Sequence, residues 1–278
     1  MIFALASFLI AFFIALGRPM AVFGKIGWFL WFFCRFERKR LIFSTLAIIS
    51  GFFAIYFNPD KSLIYWITGI ALLLVVFSFL LDFKVIFPEI EQVKRKKGTQ
   101  LSIKDNLEVI GVDLNNISVA YPAEVVITRH IVNDTIGNTG IVVCYCALCR
   151  SGLVFGSELD EKKLYFTVAG VWRRNMIMTD KQTGSLWQQA TGKCIYGHFK
   201  GRSLTLLSGE NTTWESWKKI HPESEFANEC KEARSGYLSR KTMFKGLEIA
   251  TTRITPPGFT DLKGLNKRET VFGISLNG

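Results

Sequence analysis

The strongest constraint on this chain lies in its first eighty residues. "LIFSTLAIISGFFAIYF" (41–57) runs for seventeen residues and "LIYWITGIALLLVVFSFLL" (63–81) for nineteen, each without a charged side chain. A bilayer core takes about 20 apolar residues as a helix, with a range near 17–25. The link "NPDKS" (58–62) is a tight turn, so the two runs predict a helical hairpin across a membrane. The opening run "MIFALASFLIAFFIALG" (1–17) is a third span. It has no basic start and no small-residue cleavage site followed by polar sequence, which marks an anchor rather than a removed signal peptide. "VFGKIGWFLWFFC" (22–34) is too short and interrupted to span, and its Trp28 and Trp31 suit an interfacial helix at headgroup depth.

Charge divides with hydrophobicity. Residues 1–83 carry seven Lys/Arg and three Asp/Glu, and residues 84–278 carry 27 and 20, so the formal +11 splits as +4 and +7. This is a membrane region followed by a mildly basic soluble domain, joined through a basic juxtamembrane connector at 84–105. "RFERKR" (35–40) and "KRKK" (94–97) flank the hairpin on one side, and the intervening loop is neutral. The positive-inside rule puts both flanks, and the soluble domain, in the cytoplasm. The expected setting is a multi-pass protein of the cytoplasmic membrane, with the lipid bilayer as partner and "KRKK" against anionic headgroups. Aromatic and basic residues do not interleave as a stacking platform would need, so nucleic acid is not an expected partner. No protein partner is indicated.

From residue 106 onward, short alternating runs between turn residues predict strands. "LEVIGVDLNNISVAY" reads as a hairpin turning at Asn115-Asn116, residues that tolerate positive φ. Pro122 then opens a helical turn through "AEVVITRHIV". "IGNTGIVVCYC" is a turn and an apolar strand. "GLVFGS" and "KLYFTVAGV" are expected as a second pair joined at "ELDEK", and "MIMTDKQTGSLWQQATGKCIYG" as three strands with two turns. "NTTWESWKKIHPESEF" is a helix ended by Pro222, with Thr212 as cap and Glu215 completing a capping box. Its Trp214 and Trp217 face a core, and His221 meets the last-turn carbonyls. "VIGVDLNN" (109–116) echoes in "VFGISLNG" (271–278), which stops on a turn pair without a returning strand; the expectation is a truncated soluble domain. The fold class expected is α+β: N-terminal transmembrane helices, then a β-rich soluble domain (106–278) of hairpins with a few short helices.

Chemistry centres on "VVCYCALCRSGLVF" (142–155), which holds half of the six cysteines. Cys146-x-x-Cys149 brings two sulfurs into one turn, the spacing used by zinc, iron–sulfur and dithiol chemistry. A structural zinc site takes four ligands, commonly from a second such pair. Here the remaining donors are isolated: Cys144, His130, Cys194 and His198. A thioredoxin-type pair sits at a helix N-terminus, but "RSGLVFGS" does not continue as a helix, although Arg150 could favour a thiolate. Arg150 in place of a histidine excludes c-type haem attachment. Three readings stand: buried structural thiols, a site for zinc or another transition metal from Cys146, Cys149 and His130, and a redox dithiol. His130 and Asp134, four apart in "RHIVND", could pair on a helical face, or simply end the helix. Asp180, Ser185 and Gln188 are weaker candidates in what also reads as an ordinary loop. No Walker, GxGxxG or GxSxG sequence occurs, so nucleotide binding and serine hydrolysis lack support.

The ordered set "VIGVDLNN…AYP", "RHIVNDTIGN", "VVCYCALCRSGLVF", "DKQTGSLWQQATGKCIYGHFKG" and "TTWESWKKIHP" resembles the bacterial domain-of-unknown-function family 3179, most strongly over about residues 107–225. The resemblance implies no activity. Cys146 and Cys149 fall on the family's two cysteine positions, and Cys144 replaces its usual threonine. His130 and Asp134 match its His and Asp, and Asp180, Ser185, Trp187, Gly192 and Gly197 match its D-x-x-T-x-S-x-W…G…G pattern. Many members look exported, which implies the extracytoplasmic side and conflicts with the charge rule. The functional expectation is a membrane-anchored protein with a thiol site, Cys146 and Cys149 with His130 and Asp134 nearby, for metal binding or dithiol/disulfide chemistry. The alternative is a non-enzymatic tethered scaffold with structural cysteines.

Overall fold

The computed structural model describes residues 1–21, 27–80, 82–172, 175–233, 236 and 238–253. Four helices come first: α1 (Ile2–Ala21), α2 (Gly27–Arg38), α3 (Arg40–Tyr56) and α4 (Ser62–Leu80). α1, α3 and α4 pack on one another through small residues: Ala4, Ser7 and Ala11 of α1 meet Ser44, Ala47, Gly51 and Ala54 of α3. Ser7 Oγ donates to the Ala47 carbonyl at 2.8 Å, and a Cβ on Gly51 would lie 2.7 Å from Thr68 Cγ2. Close approach of backbones over small side chains is how helices associate in lipid. The large side chains, among them Leu41, Phe52, Trp66 and Leu73, point outward and are exposed.

Helices thus occur at all three expected spans, but among the described residues only α4 qualifies alone by length and apolarity. Leu30–Phe36 with Arg40–Tyr56 passes as a pair bent by 74°, and the apolar helix Ile2–Leu16 is shorter. At the base of the hairpin Arg40 pairs with Asp82 at 3.1 Å and donates to the Ser78 carbonyl at 3.0 Å. Asp82 also caps the one-turn helix α5 (Phe83–Ile86), accepting from the Lys84 amide.

The rest of the chain runs β1 (Ile90–Lys97), β2 (Glu108–Leu114), β3 (Ile117–Pro122), α6 (Ala123–Arg129), β4 (Ile131–Ile136), β5 (Thr139–Cys146) and β6 (Ser151–Gly156). It continues with β7 (Glu158–Leu159), β8 (Lys162–Lys163), β9 (Phe166–Trp172), β10 (Asn175–Asp180), β11 (Leu186–Gln188) and β12 (Cys194–Tyr196). Last come β13 (Leu206–Leu207), β14 (Gly209–Thr213), α7 (Trp214–Ile220), β15 (Glu225–Glu232) and α8 (Arg240–Arg253).

Nine strands form one sheet in the order β13-β6-β5-β4-β1-β15-β3-β2-β14. Its two edges belong to a single stretch of chain: Leu206 and Leu207 pair with β6, and Gly209–Thr213 pair with β2. The sheet therefore closes on itself as a barrel, in which β1 and β4 pair at Ile90 and Val132. Side chains alternate across it. Val112, Tyr121, Val132, Val143 and Val154 fill the interior, whereas Ile131, Val142, Cys144, Cys146 and Phe155 face outward. That outer patch packs on Phe166, Met176, Met178 and Trp187 of the second sheet, ordered β12-β11-β10-β9. The far face of this sheet, with Ala169, Ile177 and Leu186, is covered by Leu30 and Trp31 of α2. Barrel, sheet and helix form three layers, and the thiols lie between the first two.

Several expectations change. Helix α2 docks through Leu30 and Trp31 on the apolar face that the small sheet presents. The segment 84–105 holds β1, a central barrel strand, so Lys94–Lys97 end a strand rather than forming a connector. The helix after Pro122 ends at Arg129: His130 takes a left-handed conformation (φ 66) and closes it, so His130 and Asp134 do not share a helical face. "GLVFGS" pairs with β5 rather than with "KLYFTVAGV", whose partner is β10. Thr213 rather than Thr212 caps α7, since the helix starts at Trp214; the Thr213 hydroxyl accepts from Ser216 N. The Asn115-Asn116 hairpin has the expected positive φ values of 56 and 62, and Trp214 and Trp217 are buried. The echo at 271–278 lies outside the described residues.

Candidate thiol site

Cys146 is the last residue of β5, Ser151 opposite it opens β6, and residues 147–150 turn the chain between them. Arg150 absorbs the reversal with φ 52, so Cys149 folds back toward the strand end. The two sulfurs stand 3.2 Å apart, unbonded, with Cys146 buried and Cys149 exposed. Tetrahedral zinc thiolates at about 2.3 Å from the metal would place sulfurs roughly 3.5–4 Å apart.

The second sheet supplies the donors. Asn175 Nδ2 donates to Cys149 Sγ at 3.3 Å, and the Met176 amide donates to Cys146 Sγ at 3.4 Å. Asn175, itself buried, also donates to Gln189 Oε1 at 2.9 Å and accepts from the Ala190 amide at 2.9 Å. Gln189 Nε2 donates to the Ser151 carbonyl at 3.2 Å, which ties the network back to the thiol hairpin. Hydrogen bonding from Cys146 and Asn175 outweighs burial and holds Cys149 down to about 6, while the shared proton and burial raise Cys146 well above an ordinary thiol. The pair is asymmetric: an exposed sulfur that ionises readily and a buried one that keeps its proton.

The other expected participants stand apart. His130 is buried, its ring is stacked on Phe87 with centroids 4.6 Å apart, and its Nδ1 lies 2.7 Å from the Ile127 carbonyl. That carbonyl makes Nδ1 the protonated nitrogen, and burial lowers the imidazole to about 4. Among the described residues no three His, Cys, Asp or Glu side chains converge as metal ligands, so His130 does not complete a site with Cys146 and Cys149. The physical reason is the left-handed turn at His130, which commits its ring to Phe87 and the helix end.

Asp134 faces the barrel interior, on the opposite side of the sheet from Cys146. It accepts from Arg95 at 2.6 Å and from the Tyr121 hydroxyl at 2.7 Å. Cys144 is buried against the Leu153 carbonyl at 3.3 Å and pushed up to about 12 by burial; Cys194 is likewise raised, to about 11.

The Asp180 motif proves to be architecture. Its carboxylate accepts from the amides of Thr183, Gly184 and Ser185 at 2.6, 3.3 and 3.0 Å, from Thr183 Oγ1 at 2.8 Å and from Trp187 Nε1 at 2.9 Å. Gly197 (φ 109) passes so close that a Cβ would lie 2.6 Å from Ser185 Cα. Asn175 and Gln189 were not among the sequence candidates. The signal available was weak: a lone Asn opening an apolar strand, and a Gln in "WQQ" whose strand register no spacing rule reveals.

One family model, described as a protein of unknown function (DUF3179), matches residues 84–278. No curated protein and no solved structure matches the chain.

Proposed function

Because this chain belongs to the DUF3179 family, whose description assigns no activity, we propose its function from the site alone: a membrane-anchored dithiol that exchanges with disulfides. The observation that carries this reading is the 3.2 Å approach of an exposed and a buried sulfur within one turn. Attack requires a thiolate, and a thiol poised near ambient pH is the effective nucleophile. Cys149, held down to about 6, meets that condition.

The Cys149 thiolate attacks one sulfur of a substrate disulfide, forming a mixed disulfide and releasing the other sulfur as a thiolate, which takes a proton from water. Cys146 then attacks Cys149 Sγ; its proton passes to the departing substrate sulfur, and the internal disulfide closes. Two electrons move from the pair to the substrate. Closure brings the sulfurs from 3.2 Å to the bonded distance of about 2.05 Å.

The anchoring part of the proposal rests on the helical bundle. With small residues inside and large apolar ones outside, α1, α3 and α4 are suited to lipid as their solvent. The protein is accordingly proposed as a multi-pass membrane protein, requiring detergent rather than alkaline carbonate for extraction.

The test is redox titration of the full chain in detergent against glutathione, read by mass. Wild type should interconvert between a dithiol and a 146–149 disulfide, and Cys146→Ser should accumulate a mixed disulfide at Cys149. A pair that never oxidises, or stoichiometric zinc in the isolated protein that disappears in Cys149→Ser, would overturn the proposal.

A further inference from the structure

Resting on that dithiol reading, we propose that Asn175 is a positioning residue that sets the reactivity of Cys149 by donating an N–H to its sulfur. Three observations carry this. The donor lies 3.3 Å from Cys149 Sγ on a strand of the other sheet, so the contact depends on layer packing and not on the turn itself. The Asn175 side chain cannot drift. It is buried, its Oδ1 accepts from the Ala190 amide at 2.9 Å, and its Nδ2 also reaches Gln189 Oε1 at 2.9 Å. Those two partners also fix the amide orientation, because an amide N–H pointing at Cys149 requires the carbonyl to face Ala190. Nδ2 has two hydrogens, one for the sulfur and one for Gln189.

The chemical consequence follows from what sulfur can accept. A thiolate is a strong acceptor, whereas a disulfide sulfur or a thioether is a poor one. A fixed donor therefore favours the ionised, reduced form of Cys149 over both its protonated form and the 146–149 disulfide. It raises the thiolate fraction of Cys149 below neutral pH and makes the internal disulfide easier to reduce. The neighbouring titratable group is Cys146 on β5, and Arg150 on the turn interacts with the Tyr145 phenol.

Asn175→Asp tests this with almost no change of shape, since it exchanges the donor for an acceptor carrying charge. Asn175→Ser is the second variant should the aspartate fail to fold. Two quantities are read in the full chain in detergent: the pH midpoint of alkylation at Cys149, and the equilibrium of the 146–149 disulfide with glutathione. The expected result is a midpoint raised by about one unit or more, and a disulfide stabilised by about tenfold, in either variant. Folding is checked by wild-type-like thermal unfolding of the oxidised protein. An unchanged midpoint in a folded variant overturns the role of Asn175 while leaving the dithiol reading intact. Should wild type itself fail to form the disulfide, the broader reading falls first, and the two failures are distinct.

Discussion

Two turns in this molecule, at Asp180 and at Cys146–Ser151, are built in opposite ways. At Asp180 five donors converge on one buried carboxylate, and Gly197 passes with no room for a side chain. At Cys146–Ser151 the turn leaves one sulfur exposed, and the other sheet sends two donors across to the pair. The first turn is complete in itself, with its hydrogen-bonding capacity spent on its own backbone. The second is finished only by groups from another layer, and it keeps a reactive atom at the surface. A shared motif can thus mark either a fixed frame or a site of chemistry, and saturation of its polar atoms tells which.

The contrast is sharpest in stability. Asp180→Ala strands several buried N–H groups, each costing about 1–3 kcal/mol, so a loss of at least about 3 kcal/mol is expected in thermal or denaturant unfolding. Gly197→Ala should cost about 2 kcal/mol, from a backbone conformation hostile to a side chain and contact with Ser185. Cys144→Thr should stay within about 1 kcal/mol, since a hydroxyl can donate to the Leu153 carbonyl as the thiol does. Cys149→Ser, at an exposed position, should change the stability of the reduced protein by less than about 0.5 kcal/mol at pH 5, where Cys149 is protonated, while abolishing the internal disulfide. If it destabilises as much as Asp180→Ala, the distinction between frame and site fails.

A further effect is in pH. Cys149 ionises at about 6 in the folded protein against an ordinary thiol near 8.5, so between these values the unfolded chain holds more protons. Stability of the reduced protein should therefore rise with pH across that window, and be lost as pH falls through 6. Cys146 acts in reverse above the window, because it stays protonated when the unfolded chain does not. His130, lowered to about 4 by burial, adds a further loss as pH falls from about 6.5 toward 4. Unfolding curves of Cys149→Ser should lack the rise between 6 and 8.5 and keep the acid loss.

Local chemistry was legible where a few adjacent residues settle it. Asn115-Asn116 turned its hairpin as read, and Trp214 and Trp217 took the core face of their helix. The proximity of Cys146 and Cys149 followed from two intervening residues alone. The reading failed where a distant element decides. Basic Lys94–Lys97 looked like a linker because an edge of a barrel strand can carry charge on its solvent side. Of the two readings of His130 and Asp134, the helix end holds and the shared face does not, because His130 itself is left-handed and strand alternation sends Asp134 inward. The family match begins at residue 84, where composition also divides the chain, and takes in β1, so the barrel starts before the alternating pattern at residue 106.

What the sequence by itself determined is whatever rides on short-range sterics and on composition: apolar helices at the start, strands after them, and two sulfurs in one turn. Only the tertiary structure decided that the sheet closes through residues 206–213, that α2 covers a sheet, and that Asn175 reaches Cys149. The reason is that these contacts join residues far apart along the chain, and their geometry is set by how layers pack, which no local spacing encodes.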